Sequence, residues 1–346
     1  MSLTDTFIEL AERGLAPDFL IRAGIRNLCR KRLRQCLAND CEANAELAEK
    51  YLKDSDASPM AVLTDKANEQ HYEVPAKFYQ LVLGKNLKYS SCYFDEFVSD
   101  LSKAEERALQ LTCEHAGLDD GQKILELGCG WGSLSLWMAK NFPASRITSV
   151  SNSHSQRKHI ERQARERGLE NLEVITEDVN AFETDERFDR VVSVEMFEHV
   201  RNHRELFRRI HSWLKPEGKL FTHVFCHRST SYPFEVEGKD DWMSKHFFSG
   251  GTMPADELFL RISGNLELET RWRWSGKHYA KTSEYWLDNL DGNREEVLRL
   301  FGKDLSMVEA HRTFYRWRIF FLACAETFGF RNGQEWWVSH YLFKKP

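Results

Sequence analysis

The 346-residue sequence predicts an α/β fold: a mostly parallel, doubly wound sheet with an N-terminal helical cap before it and a helical lid inserted late in the chain. Three observations predict it. From about residue 121, short β-branched runs alternate with amphipathic stretches, the pattern of strands joined by crossover helices. A glycine cluster, Gly128-Cys129-Gly130-Trp131-Gly132, stands where the first strand, KILEL, gives way to a helix. Two long segments, one ahead of Ser102 and one after about Phe225, fall outside the alternation. The expected division is 1–100 for the cap, 101–226 for the core, and 227–346 for the lid and the closing strands of the sheet.

The first distinct element is a basic amphipathic helix, Asp18 to Asp40, carrying Arg22, Arg26, Arg30, Lys31, Arg32 and Arg34. It suits an anionic membrane surface or a partner. It equally suits docking on the core through Leu20, Ile21, Ile25, Leu28 and Leu37, with its charges solvated. A helix from Ser102 to Gly117 follows, with Ser102-x-x-Glu105 reading as a capping box. Then come the strands KILEL, RITSV, LEVIT, DRVVSV and GKLFTHVF, separated by the helical stretches SLSLWMAKNF, SQRKHIERQARERG and HRELFRRIHSWL. Residues 281 to 330 read as helical and aromatic; NLELETRWRW alternates as a strand should, and EWWVSHYLF reads as an edge strand closing the sheet.

Composition narrows the function. Hydrophobic residues at 42% and charged ones at 29% suit a globule with a filled core. A net charge of −5 supplies no global field for nucleic acid, so none is expected as a partner. No run of eighteen uncharged apolar residues occurs. The acidic start MSLTDTFIELAERG differs from a secretory signal, so a cytoplasmic protein with reduced thiols is expected. The 8 cysteines form no C-x-x-C pair, and no metal constellation is visible, so no metal is expected.

The glycine loop is the first chemical signal. A tight strand-to-helix turn needs residues without Cβ so that backbone can approach a ligand, and the helix N-terminus then offers free N–H groups. A nucleotide-like ligand fits there. Spacing alone does not separate a dinucleotide from S-adenosylmethionine, but Ser151-Asn152-Ser153 stands where a dehydrogenase would carry the acid that holds ribose.

Glu126 ahead of the loop and the KPEGKL turn before the fifth strand resemble class I methyltransferases. Longer stretches are more specific: QHYEVPAKFYQLVLGKNLKYSSCYF, ILELGCGWGSLSL, SVSNSHSQ, VEMFEHVRN, LFTHVFCHR and FFSGGTMP. Together they resemble the coclaurine N-methyltransferase branch of the cyclopropane-fatty-acid synthase superfamily, over roughly residues 60 to 346. The resemblance implies a Rossmann-like methyltransferase sheet with an antiparallel last strand, and S-adenosylmethionine as cofactor, leaving as S-adenosylhomocysteine. It implies that Tyr89 and Ser90, Gly128, Gly130 and Gly132, Asn152 and Gln156, and Asp178 with Val179 surround that cofactor.

The superfamily's lipid enzymes hold a bicarbonate with a cysteine, a glutamate, a histidine and a tyrosine. Here the cysteine position is Ser91 and the tyrosine position is Leu287, the bulkier Phe225 stands two after His223, and Glu198 and His223 remain. Glu195, three before Glu198, gives E-x-x-E-H as in the N-methyltransferases. Methyl transfer needs an unprotonated nucleophile, so a cationic amine must bind and then lose a proton. Glu195 and Glu198 are expected to hold the ammonium and His199, with a histidine pKa near the working range, to take the proton. Glu198 also suits a cap or backbone brace, and His223 and His227 suit core packing. His223, Tyr232, Trp242, Phe247, Phe248 and Trp286 are candidates to line the substrate pocket or box an ammonium, although core packing explains the aromatics as well. Cys324 reads as a buried helix thiol. The expected activity is methylation of a small aromatic or cyclic amine. The alternatives are action on unsaturated acyl chains of phospholipids, reached through peripheral membrane contact by helix 18–40, or cofactor binding without catalysis.

Overall fold

The structure, a computed structural model, describes residues 3–36, 40–62, 74–236 and 241–346; Leu37 and the QHYE stretch at 70–73 lie outside them. Among the described residues a seven-stranded sheet runs in the order β3-β2-β1-β4-β5-β9-β8. Its strands are β1 Lys123–Leu127, β2 Arg146–Ser151, β3 Leu172–Thr176, β4 Phe188–Val194, β5 Leu214–His227, β8 Glu267–Trp274 and β9 Trp336–Lys344. A separate two-stranded pair joins β6, Tyr232–Pro233, to β7, Thr252–Met253. β1 to β5 pair in parallel, whereas β9 is antiparallel to both β5 and β8. The strand order turns back at β1 and β4, and a ligand crevice opens at the carboxyl ends of strands at such a switch point.

EWWVSHYLF is therefore not an edge strand. β9 lies inside the sheet and is buried along nearly its whole length, Ser339 and His340 included. The edge belongs to β8, whose Glu267, Glu269 and Arg273 are exposed and charge the rim against further strand addition.

Helix α5, Leu101–Ala116, starts differently from the expected capping box. Asp100 is the cap, accepting from the Lys103 N–H at 3.0 Å. Glu105 is fully buried and turned the other way, accepting from the backbone N–H groups of Gly84, Asn86 and Lys88 at 3.0, 2.7 and 3.1 Å. It thus shapes the 84–88 loop, and Gly117 ends the helix in the left-handed conformation that favours glycine.

The basic helix α2, Asp18–Gln35, is docked on α11, Gly276–Gly292, and α13, Met307–Gly329. Its inner face is Ile21, Ile25, Cys29 and Leu33; Leu20 and Leu28, expected there, are 43% and 41% exposed. Ion pairs steer the docking: Arg22 reaches Glu284 at 2.6 Å and Glu326 at 3.0 Å, and Arg26 reaches Glu326 at 2.7 Å. Arg32 lies over the Tyr232 ring at 4.7 Å. No described helix is long and apolar enough to cross a membrane.

Candidate active site

The loop after β1 bends through three glycines with φ of 79°, 50° and 80° at Gly128, Gly130 and Gly132. The N–H groups of Gly128 and Cys129 donate to Val150 O at 3.0 and 3.1 Å, fixing the loop to β2. A Cβ on Gly128 would stand 2.6 Å from Met196, and one on Gly132 would stand 2.6 Å from Ile160. Around Gly130 no atom lies within 4 Å of that position. Two glycines therefore permit close packing, and Gly130 leaves open space. Glu126 does not face that space: it is buried between β2 and helix α6, Ser133–Asn141, accepting from Ser135 and from Ser149 at 2.8 Å. Burial pushes its pKa up to about 7.

An open cavity of about 840 Å³ lies at the carboxyl ends of β1 to β4, with Gly128 and Gly130 on one wall. Asn152 and Gln156 border it after β2, and Asp178 and Val179 after β3. Gln156 accepts from Ser151 Oγ at 2.6 Å, while its buried Nε2 has no partner among the described residues. Asp178 accepts from the Asn180 N–H at 2.7 Å, which turns the chain behind the cavity. Gly132, Tyr89 and Ser90 lie outside that lining. Tyr89 packs between Tyr79 and Trp286, with ring centroids at 5.1 and 5.5 Å, and Ser90 accepts from the buried Lys88 Nζ at 2.5 Å.

E-x-x-E-H borders the same cavity through Glu195 and His199. Glu195 follows β4 with φ of 49°, and Phe197–His199 form a 3-10 turn. The Glu195 carboxylate accepts from the Ser91 N–H at 2.9 Å, His223 Nε2 at 3.1 Å and Tyr279 OH at 2.7 Å. Burial raises its pKa, against the opposing pull of Lys88 and its hydrogen bonds. His223 is neutral, because burial holds it well below the usual histidine range, so the contact is a hydrogen bond rather than an ion pair.

His199 also borders the cavity and packs on Phe248 at 4.6 Å. Its pKa is not near the working range: burial lowers it to about 4, which leaves the ring neutral and weakly basic. Glu198 is wholly buried behind the cavity lining, accepting from the Phe225 N–H at 2.7 Å. Burial and the neighbouring Glu195 raise its pKa well above the carboxylate range.

The candidate substrate residues are spread apart. Phe248 stands by His199, and His223 by Glu195. Trp286 is buried against Tyr89, Tyr279 and Phe321. Phe247 stacks on Phe320 at 4.4 Å. Trp242 Nε1 donates to Glu12 of the first helix at 2.9 Å, and Tyr232 on β6 accepts from Trp336 Nε1 on β9 at 2.9 Å. Cys324 is a free thiol whose pKa burial raises. Lys88, Tyr279 and His340 escaped the sequence reading, since single residues on separate elements leave no spacing to read.

The chain matches the mycolic acid cyclopropane synthetase family over residues 63–336. It is 37% identical to (S)-coclaurine N-methyltransferase of Thalictrum flavum subsp. glaucum over 338 residues, 96% of this chain and 94% of that one. The crystal structure of coclaurine N-methyltransferase bound to N-methylheliamine and SAH superimposes with a TM-score of 0.95 at 34% identity, over 99% of this chain and 100% of that one. The cyclopropane synthase MmaA2 from Mycobacterium tuberculosis has the same fold, with a TM-score of 0.71 at 22% identity over 83% of this chain and 100% of that one. Sheet order, glycine loop and crevice, with these likenesses, define a class I methyltransferase that uses S-adenosylmethionine. The chain belongs to the mycolic acid cyclopropane synthetase family and, within it, is similar to the coclaurine N-methyltransferases.

Proposed function

We propose that the protein methylates the nitrogen of a small cyclic or aromatic amine. The observation that carries this reading is the Glu195 carboxylate, held by three donors on the wall of the cavity that the glycine loop also lines. Relatives along nearly the whole chain are named for amine methylation: (S)-coclaurine and pavine N-methyltransferases.

When bound, S-adenosylmethionine supplies a sulfonium methyl group for in-line displacement. The open space at Gly130, the unsatisfied Gln156 Nε2 and the polar groups of Asn152 and Asp178 suit a ligand with an amino acid and a ribose, so these residues would hold it. Glu195 binds the substrate ammonium and takes one proton from it, leaving a neutral amine whose lone pair forms the new N–C bond. Burial raises the carboxyl and lowers the imidazole, so the proton rests on Glu195 while neutral His199 orients the N–H beside it. Buried Glu198 braces the backbone at Phe225. Phe248, packed on His199, supplies an aromatic face for the cation, and α2, α11 and α13 serve as the cap and lid.

Incubation with S-adenosylmethionine and either (S)-coclaurine, heliamine or phosphatidylglycerol vesicles, read by mass spectrometry, tests the reading. S-adenosylhomocysteine should form with an amine and the amine should gain one methyl. Product from the vesicles alone would replace this function with acyl-chain chemistry.

A further inference from the structure

Three histidines far apart in sequence line up behind Glu195. β4, β5 and β9 are neighbours, and their register sets Val194 against His223 and His223 against His340. The carboxyl that follows Val194 and the two rings therefore form a row across the sheet. His340 Nε2 lies 2.9 Å from His223 Nδ1, and His340 Nδ1 lies 2.8 Å from Nδ1 of His115, in the last turn of α5. His115 is half-buried and stacked on Trp272 at 4.0 Å. Trp274 covers the row, packing on His223 at 5.3 Å and His340 at 4.2 Å, and both rings are wholly buried.

Packing alone does not call for buried imidazoles, whose ring nitrogens must each find a partner. Here one set of neutral tautomers satisfies the row. With Glu195 ionised, His223 donates from Nε2 to Glu195 and accepts at Nδ1 from His340 Nε2–H; His340 accepts at Nδ1 from His115 Nδ1–H. Burial keeps all three rings below the usual histidine range. The charged groups facing them are Lys88 beside His223 and Glu195, and Glu114 and Arg107 beside His115.

We propose that His223, His340 and His115 form a proton relay that carries the proton received by Glu195 to solvent at His115, outside the substrate cavity. This rests on the reading that the amine's proton passes to Glu195. When Glu195 is protonated and donates, each ring carries its hydrogen on the other nitrogen. The carboxyl then passes its proton to His223 Nε2, His223 Nδ1–H passes to His340 Nε2, His340 Nδ1–H passes to His115 Nδ1, and His115 Nε2–H goes to water. One proton leaves, and a carboxylate and three neutral rings remain. Each passage leaves every ring hydrogen on the nitrogen opposite to the one it started from, and the row carries another proton once the rings have returned to the donating tautomers. His223, His340 and His115 are positioning residues that act through Glu195.

His340→Gln separates conduction from structure, because an amide can donate to His223 and accept from His115 yet cannot pass a proton on. With heliamine as acceptor, kcat should fall roughly tenfold or more, with KM, S-adenosylmethionine affinity and melting temperature unchanged. His115→Ala in weak buffer should lose a similar factor and regain most of it when imidazole is added. Full kcat in both variants, with no response to imidazole while the wild type methylates heliamine, would overturn the relay and leave the function standing. A wild type inactive on every amine would sink the function and the relay with it.

Discussion

Gly128, Gly130 and Gly132 are alike on paper and meet different neighbours in the fold. Gly132 abuts Ile160, and Gly130 abuts nothing within 4 Å. Gly132→Ala should therefore cost about 2–4 kcal/mol of stability, from the positive φ and overpacking together. Gly130→Ala should cost only about 1 kcal/mol for its φ and weaken S-adenosylmethionine binding instead; calorimetric titration with a thermal melt distinguishes the two. Glu126 carries a different signature. Its folded pKa of about 7 lies above the unfolded carboxyl value, so the folded state holds the extra proton between them and stability falls as pH rises through that window. Glu126→Gln should match the wild type at pH 4 and exceed it by about 1–3 kcal/mol at pH 8, checked by urea unfolding at both values. Glu126 was visible in the sequence as an acid before the loop, but its two serine donors come from separate elements and only the fold joins them.

Strands β8 and β9 show what periodicity reveals and what it omits. Both were readable as strands, yet neither pattern states which is inside. An aspartate outside them does much of the fixing: Asp256 accepts from Arg273 at 3.0 Å on β8 and from Trp337 at 3.2 Å and Ser339 at 2.5 Å on β9. Burial opposes its charge, but the Arg273 hydrogen bond wins and holds its pKa below the usual carboxylate range. Its contribution is therefore present above the unfolded value and lost as pH falls through the folded one. Asp256→Ala should lower stability by about 2–3 kcal/mol, discounted because the arginines are partly solvated, and shift the acid-unfolding midpoint upward; circular dichroism against pH reads both. The start of α5 departs from the capping-box pattern for a related reason. Ser102 and Glu105 have the spacing of a capping box, but burial of Glu105 under the 84–88 loop outweighs a surface cap, and Asp100 takes the cap position.

Helices from the two ends of the chain pack against each other. Glu12 in the first helix accepts from Trp242 at 2.9 Å and Arg316 at 2.9 Å, and Arg318 in α13 joins Asp18 and Asp291. The sheet, glycine loop and E-x-x-E-H were readable because each is local in sequence. Lys88, Tyr279, His115 and His340 were not, because they converge on Glu195 and His223 only through strand register and helix docking. The long motifs therefore pointed to S-adenosylmethionine-dependent methyl transfer, while the division of labour proposed for E-x-x-E-H rests on burial. Glu195→Gln keeps the shape of the site and removes the carboxylate, so single-turnover methylation of heliamine by this variant, alongside a calorimetric titration with S-adenosylmethionine, is the most direct test. Cofactor binding should be unchanged and the methylation rate should fall by about 10²–10³-fold; a variant that methylates heliamine at the wild-type rate would contradict the assignment of Glu195 as the group that receives the amine and its proton.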